Sequence, residues 1–269
     1  RRLIYVYICG SACTSATGGR TMSEVHAICQ FSCGAASAVA TKIFLSKNQG
    51  INTRIIYCDT GSEDKDNLRF LSDCEKWFGK KVEILKSDKY VDTWDVWSKK
   101  KYISGVNGAP CTRALKIDPQ FDFRNENYIH VFGYTSDGND IKRANAIREN
   151  WPKLKVETPL IDHGINKAAC LSMIDSAGIP IPRVYSMGFH NANCIPCCKA
   201  QSPGYWALVR KEFPAEFLRM AELSRRLGAK LARLNGCRVF VDEIPIGFPT
   251  TEPITPECDF LCHIAEHTI

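Results

Sequence analysis

The chain has 269 residues, with 35 Lys and Arg side chains against 29 Asp and Glu, which gives a formal net charge of +6. Its 45% hydrophobic content is typical of a folded globular protein and excludes a disordered or collagen-like chain. The modest positive charge suits an anionic substrate without indicating a polymeric one. Fourteen cysteines are many, yet the chain is long enough to form a core without disulfides, so we expect reduced thiols.

Residues 1–21 are expected to be a separate leader. Arg1-Arg2 precede an apolar run to Cys9 that is too short to span a membrane. Met22-Ser23 stands just before the first predicted strand and resembles a natural start, so the leader is expected to be disordered or of expression-vector origin. No other segment suggests secretion or membrane insertion, and the sequence therefore predicts a cytoplasmic protein with no membrane partner.

An apolar run that ends at Phe31 passes into the small residues Ser32-Cys33-Gly34-Ala35-Ala36-Ser37, which open a helix-forming segment. Backbone N–H groups at a helix N-terminus bind an anion when no bulky side chain blocks them, and the helix dipole adds attraction. Ser32 and Ser37 add hydroxyl donors. The pattern predicts a phosphate-binding loop, although small residues also open ordinary helices that pack tightly on a sheet.

A second strand, turn and helix follow. Arg54–Cys58 reads as a strand, Asp59-Thr60-Gly61-Ser62-Glu63 as a turn and 64–78 as a helix. Ligands gather at the carboxyl ends of parallel strands. We therefore expect both turns to lie at the same edge of one sheet.

These two turns resemble the PP-loop family, the adenine-nucleotide α-hydrolase-like group that includes phosphoadenylylsulfate (PAPS) reductases, ATP pyrophosphatases and tRNA thiolation enzymes. The family's Ser-Gly-Gly-x-Asp-Ser motif matches 32–37 at both serines and one glycine, which implies phosphate contacts from Ser32, Cys33, Gly34, Ala35 and Ser37. Asp59-Thr60-Gly61 and Glu63 are similar to the family's second motif. The resemblance implies that they border the adenosine of PAPS, adenylylsulfate (APS) or ATP.

One position departs from the family motif. The aspartate that helps ATP-cleaving members hold magnesium is Ala36 here, so the loop offers only hydroxyl oxygens to a cation that prefers oxygen ligands. Some phosphosulfate reductases of the group also lack this aspartate. The substitution favours an already activated nucleotide over ATP cleavage, and leaves magnesium open.

The remaining pattern continues the alternation of strands and helices. Strands are predicted over 81–85, 128–133 and 155–160, with helices from the N-cap Asp137 to Asn150 and over 165–177. The prediction is an α/β protein with a doubly wound, mainly parallel sheet over 22–190. A cysteine-rich helical region over 191–269 is expected to pack on it, with a helical stretch over 206–227 that breaks at Pro214.

The predicted fourth strand and the helix after it carry further candidate site residues. The resemblance implies that Gly133, at the end of the strand, lies at the nucleotide and that Arg143 meets the phosphate or sulfate. A solvated, charged helix face is the alternative for Arg143.

Cys111 follows a glycine-rich loop and resembles the Cys-x-x-x-x-Lys stretch with which family members close over the nucleotide. Arg113 and Lys116 beside it are expected to lower the pKa of its thiol. Sulfur carrier, nucleophile and cluster ligand are the functional interpretations, and a buried, inert cysteine is the alternative.

Two cysteine pairs predict a metal site. Cys194 and Cys197 form C-x-x-C, and Cys258 and Cys262 form C-x-x-x-C, which together give four soft ligands suited to zinc or an iron–sulfur cluster. The resemblance favours a [4Fe–4S] cluster over zinc, with Cys111 or Cys198 as substitute ligands. The tail also resembles the terminal Glu-Cys-Gly-x-His of phosphosulfate reductases, through Glu257-Cys258 and His263, which would make Cys258 a nucleophile.

The sequence thus predicts a PAPS reductase-like enzyme with an electron donor such as thioredoxin as partner. Basic residues between Arg210 and Arg233 allow nucleic-acid contact, but a solvated face is the commoner explanation. Two rival functions are an ATP-dependent thiolation enzyme for tRNA or DNA and a non-catalytic nucleotide-binding accessory protein. The favoured enzyme resembles the stand-alone versions found in bacterial and phage genomes.

Overall fold

The computed structural model of the protein describes residues 26–106, 108–123 and 125–256. The predicted leader and the tail residues Glu257, Cys258, Cys262 and His263 lie outside these ranges. No helix in the described ranges is long and apolar enough to cross a membrane.

A five-stranded parallel sheet with helices around it forms the centre of the molecule, which confirms the predicted α/β class. The strand order is β3-β2-β1-β4-β5, and every neighbouring pair is parallel. The central strands are almost fully buried, as is usual for a parallel sheet. The strands are β1 (Ala27–Gln30), β2 (Thr53–Cys58), β3 (Val82–Leu85), β4 (Ile129–Phe132) and β5 (Lys155–Glu157).

The predicted helices are present, with ends that differ by a few residues, whereas the helices over Thr93–Lys100, Pro159–Asp162 and Arg183–Ser186 were not predicted. The segment 110–123, which was predicted only as the basic stretch after a glycine-rich loop, is helical. A short helix (Pro110–Thr112) continues through a π-helical turn (Arg113–Ile117) into a 3-10 segment (Asp118–Phe123). The helices are α1 (Ala35–Lys47), α2 (Asp66–Phe78), α3 (Thr93–Lys100), α4 (Pro110–Thr112), α5 (Gly138–Asn150), α6 (Pro159–Asp162), α7 (Lys167–Ser176), α8 (Arg183–Ser186), α9 (Pro203–Glu212) and α10 (Pro214–Arg226).

Two local predictions need correction. The fifth strand ends at Glu157, because Pro159 begins α6 and cannot continue the strand ladder. Asp137 is the N-cap of α5, but its carboxylate accepts a 2.7 Å hydrogen bond from the Thr135 hydroxyl and makes no cap bond to the helix.

The main apolar core runs from the sheet into the C-terminal helices without interruption. It joins Phe31 and Phe70 beside the sheet to Trp206, Phe217 and Met220 in α9 and α10, all of them buried. A small antiparallel hairpin, β6 (Ala232–Leu234) and β7 (Cys237–Val239), contacts α9. The helices break at Pro214 as predicted.

Candidate functional site

The loop between β1 and α1 is closed by its own serines. The Ser32 N–H donates to Ser37 Oγ at 3.0 Å, and the Ser37 hydroxyl donates to the Gly34 carbonyl at 2.9 Å. The two hydroxyl oxygens lie 3.0 Å apart. The predicted phosphate loop is therefore a compact turn whose shape these hydrogen bonds hold.

Gly34 and Cys33 have different roles in this loop. Gly34 is the N-cap of α1 with φ −104, which any residue can adopt, whereas Cys33 has φ +53. A Cβ on Gly34 would lie 3.3 Å from Tyr185 Oη and 3.5 Å from Ser32 Oγ. Gly34 therefore supplies space, and Cys33 is a fully buried thiol whose pKa is raised by burial. Ala35 is also fully buried, at the first position of α1.

Gly133 brings the end of β4 against the same loop. A Cβ at this position would stand 2.5 Å from Ser37 Cα and 2.6 Å from Ser37 N, inside any normal contact distance. Only glycine lets the two backbones approach this closely.

A cavity of about 650 Å³ opens at the carboxyl ends of the strands, where such sites are expected. Ser32, Gly34, Ser37 and Gly133 line it. Its cationic lining residues are Lys116, Arg143 and Lys167. We call it the strand-end cavity.

Arg143 is held at the wall of the strand-end cavity by two contacts. Its guanidinium lies 4.8 Å from the Tyr134 ring centre and 2.7 Å from an Asp140 oxygen. Tyr134 in turn stacks on Phe132 at 5.5 Å. The side chain is 65% exposed, so the charge remains accessible to an anion.

The turn after β2 lies between the strand-end cavity and the cysteines. Asp59 pairs with Lys86 at 2.9 Å and accepts the Gly61 N–H at 2.9 Å. Although burial opposes its charge, these partners hold the pKa of Asp59 below its usual range. Gly61 has φ +64, and Thr60 Oγ1 lies 3.1 Å from Cys194 Sγ. The strand-end cavity itself is lined from β2 by Tyr57 and Cys58.

Glu63 is the buried member of a charge pair with Lys116, whose side chain is 35% exposed. The Glu63 side chain is 4% exposed, its Oε1 lies 3.4 Å from Lys116 Nζ, and its Oε2 accepts the Tyr57 hydroxyl at 2.5 Å. Burial opposes the charge of Lys116, but Glu63 and the neighbouring Cys194 raise its pKa on balance. Lys116 is therefore a fixed cation.

Four cysteines, one of them distant in sequence from the other three, line a second pocket of about 270 Å³, which we call the cysteine pocket. They are Cys111, Cys194, Cys197 and Cys198. The sulfurs of Cys111 and Cys198 lie 3.7 Å apart. Lys116, Arg143 and Asn193 line this pocket as well as the strand-end cavity, so the two adjoin.

Cys111 has the lowered pKa that the sequence predicts, but for a different reason. The Cys198 thiol, whose sulfur lies 3.7 Å away, stabilises the thiolate of Cys111 and lowers the pKa of Cys111. Arg113 is 80% exposed and lies 3.6 Å from Asp118, and Lys116 pairs with Glu63. The two basic neighbours that suggested the shift thus have other partners.

The segment 194–198, which carries three of the four cysteines, is connected by hydrogen bonds to the turn after β2. The Ile195 N–H donates to the Ser62 carbonyl at 2.8 Å, and Asn67 Nδ2 donates to the Ala192 carbonyl at 3.2 Å. The Cys197 N–H donates to Tyr205 Oη at 2.6 Å. These bonds fix Cys194 and Cys197 beside Thr60.

The predicted metal ligands are brought together only in part. Cys194 and Cys197 share the cysteine pocket, whereas Cys258 and Cys262 lie outside the described residues. Within the described ranges, no three His, Cys, Asp or Glu side chains are arranged to hold a metal ion. Burial raises the pKa of Cys194 to about 12 and also raises that of Cys197, so a metal would have to displace their protons.

Several lining residues of the strand-end cavity escaped the sequence analysis. Tyr185, His190, Asn191 and Asn193 come from α8 and the loop after it, more than 140 positions from the phosphate loop. A single Tyr in a four-residue helix carries no local signal. Proximity of the C-x-x-C turn was the one available hint for Asn193.

The basic face of the C-terminal helices is largely engaged within the protein. Arg210 donates to the Ile244 carbonyl at 2.8 Å, and Arg225 pairs with Asp242 at 2.6 Å. Arg219 lies over the Trp94 ring at 4.3 Å. These three cations have structural partners.

Comparison with known proteins gives distant similarities. No protein-family model matches the chain. An uncharacterized protein of Methanocaldococcus jannaschii is 24% identical over 190 residues, which cover 67% of this chain and 38% of that protein. The chain thus spans well under half the length of this relative. A crystal structure of phosphoadenylyl-sulfate (PAPS) reductase from Candida auris, in complex with phosphate, matches with a TM-score of 0.47 and 12% identity over 65% of this chain and 82% of that one.

Proposed function

We propose that the protein is a PAPS reductase-like enzyme of the PP-loop type. It binds an adenine nucleotide, PAPS or APS before ATP, in the strand-end cavity and carries out sulfur redox chemistry at the cysteine pocket. One observation carries this proposal: Lys116, Arg143 and Asn193 line both spaces, so a nucleotide in the first presents its anionic end to the cysteines.

The phosphate end of the nucleotide would meet the loop at Ser32–Ser37. Gly34 leaves room there, and helix α1 directs its positive end toward the anion. Arg143 and Lys116 add full positive charges on the other side. An activated sulfate is well matched to such a site, because its reacting sulfur is surrounded by oxygens that carry negative charge.

Cys111 is the proposed nucleophile, since the neighbouring Cys198 thiol lowers the pKa of Cys111 and so raises its thiolate fraction at neutral pH. Its attack on the sulfur of a phosphosulfate forms an S–S bond and breaks the S–O bond, which releases the adenosine phosphate. A dithiol donor such as thioredoxin then releases sulfite and leaves with a disulfide. Arg143 and Lys116 stabilise the charge that develops on the departing phosphate.

The donor chemistry at the cysteine pocket fits an iron–sulfur cluster or zinc, because both bind thiolates. Cys194 and Cys197 would supply two ligands and Cys258 and Cys262 the others, with Cys111 or Cys198 as substitutes. A [4Fe–4S] cluster there would supply electron-transfer capacity next to the anion. We place the activity in the cytoplasm, where thiols stay reduced.

Metal analysis tests the cysteine assignment. After anaerobic purification we expect iron and sulfide in the wild type, and loss of both in Cys194→Ser and Cys262→Ser. Cys74→Ser and Cys170→Ser are matched controls at fully buried positions and should keep the metal. Full metal retention in Cys262→Ser would exclude this ligand set and favour Cys111 or Cys198 instead.

Calorimetry with PAPS, APS and ATP, each with and without magnesium, tests the nucleotide assignment. Gly34→Val should abolish binding, because its methyl groups enter the space beside Ser32 and Tyr185. Gly50→Val introduces the same side chain where nothing lies within 4 Å and should bind as the wild type does. Unchanged affinity in Gly34→Val would return the small residues to a purely structural role.

The engaged cations of the C-terminal helices favour a small nucleotide over tRNA or DNA as the partner. A thiolation enzyme would instead need ATP and magnesium for binding. An accessory protein without catalysis would bind the nucleotide but release no sulfite when a dithiol is added.

A further inference from the structure

Tyr185 connects α8 to the phosphate loop. Its hydroxyl oxygen accepts a 3.0 Å hydrogen bond from the N–H of Ala35, the first residue of α1. The side chain belongs to a residue that is 3% exposed, yet it lines the strand-end cavity. A backbone donor expected to face a bound anion is thus already paired with a phenol.

The Tyr185 hydroxyl can make a second hydrogen bond, as a donor, in addition to the one that it accepts from Ala35. A phenol that accepts from Ala35 still has its own O–H to donate. Within the described part of the chain, the Ala35 N–H is the one hydrogen-bond partner recorded for this hydroxyl. The O–H of Tyr185 is therefore available to donate a hydrogen bond to a ligand in the strand-end cavity, which Tyr185 lines.

We propose that Tyr185 is a phosphate ligand that relays the positive end of α1 to the bound anion. Its oxygen receives the Ala35 N–H, and its proton is donated to a nucleotide phosphate oxygen. The inference rests on the proposed nucleotide function of the strand-end cavity, and it adds a side chain that neither loop motif contains.

The alternative is a plug: the phenol could occupy the anion's place and swing away when the nucleotide binds. The surroundings oppose this movement. Arg183, two residues earlier, donates twice to Asp64 at 2.7 and 2.8 Å, and the Asp64 side chain is 3% exposed. Arg69 of α2 holds the carbonyls of Pro180 and Ile181 at 2.7 and 3.1 Å. The residues just before Tyr185 are thus held by Asp64 and Arg69, which restricts movement of the segment, so the hydroxyl is preorganised.

The two alternatives predict opposite changes on Tyr185→Phe. If Tyr185 is a relay, Tyr185→Phe removes a hydrogen bond to a charged group and should weaken AMP binding about tenfold or more. As a plug, the same change would free the Ala35 N–H for the phosphate and strengthen binding. Adenosine, which has no phosphate, should bind both proteins equally.

The experiment is calorimetry with AMP and adenosine on the full chain, with Tyr128→Phe as matched control. Tyr128 precedes β4 and packs at the opposite end of the sheet from the strand-end cavity. Weaker AMP binding with unchanged adenosine binding supports the relay. Equal or tighter AMP binding overturns it and leaves the nucleotide function standing, whereas a wild type that binds neither compound overturns both.

A second measurement serves if Tyr185→Phe does not fold. Fluorotyrosine incorporated at position 185 keeps the hydroxyl, and its fluorine resonance should shift on addition of AMP but not of adenosine. Identical responses to the two ligands would contradict a phosphate contact.

Discussion

The strand-end cavity and the cysteine pocket share a wall but are built in different ways. The first is formed by backbone: a loop closed by Ser32 and Ser37, with Gly133 pressed against it. The second is formed by thiols from positions as far apart as Cys111 and Cys198, whose sulfurs lie 3.7 Å apart. Backbone sites leave a local signature in the sequence, whereas side-chain clusters depend on the whole fold.

The largest effect is expected where the two spaces meet. Lys116→Met leaves the buried Glu63 without its cation, which should lower the free energy of unfolding by about 3–5 kcal/mol. The double variant Lys116→Met/Glu63→Gln should recover most of this stability but not the affinity for AMP. Urea unfolding and calorimetry measure the two quantities. Wild-type affinity in the double variant would mean that Lys116 does not meet the anion.

The turn after β2 gives the next largest effect, because it supports both spaces. Gly61→Ala forces a Cβ to within 2.3 Å of the Val91 carbonyl oxygen at φ +64, and should cost about 3 kcal/mol or more. Gly79→Ala is the control at φ +66 with nothing within 4 Å, and should cost about 1 kcal/mol. Equal losses of unfolding free energy in the two variants, measured with denaturant, would show that the turn after β2 accommodates the added methyl group.

A more selective effect is expected at Gly133. Gly133→Ala should push β4 away from Ser37, weaken AMP binding at least tenfold and destabilise the fold by about 1–3 kcal/mol. Gly138→Ala, at the open first position of α5, should leave both unchanged or slightly improved. The metal that we propose at the cysteine pocket should be retained in Gly133→Ala. Loss of the metal in this variant would show that a change in the strand-end cavity also disrupts the cysteine pocket.

The smallest effect concerns the charge of Cys111. Because the pKa of Cys111 is lowered, its thiolate persists below the pH at which an ordinary cysteine is protonated, and the stabilisation from the Cys198 hydrogen bond is lost as pH falls through the lowered pKa. In metal-free protein, alkylation of Cys111 by iodoacetamide, followed by peptide mass spectrometry, should have its midpoint below the pH of about 8.5 that is usual for a free cysteine. Cys198→Ala should move this midpoint upward, and an unmoved midpoint would assign the shift to other groups.

Local sequence patterns predicted the five strands of the sheet and most of the longer helices, because each depends on neighbours in the chain. The hairpin at Ala232–Val239 was missed although Asn235-Gly236 is a strong turn signal. The contact of Tyr185 with the phosphate loop and the contact between Cys111 and Cys198 could not be predicted. Residues far apart in sequence come together in both contacts only through the tertiary fold. The predicted cause of the Cys111 shift was wrong for the same reason.

The shared position of Lys116 has a thermodynamic consequence. One ammonium, that of Lys116, lines both the strand-end cavity, where we propose that an anion binds, and the cysteine pocket. Binding in one space and charge in the other are therefore linked, and each must change the other by the same free energy. Negative charge added among the cysteines should weaken nucleotide binding, and a bound nucleotide should disfavour that charge to an equal extent.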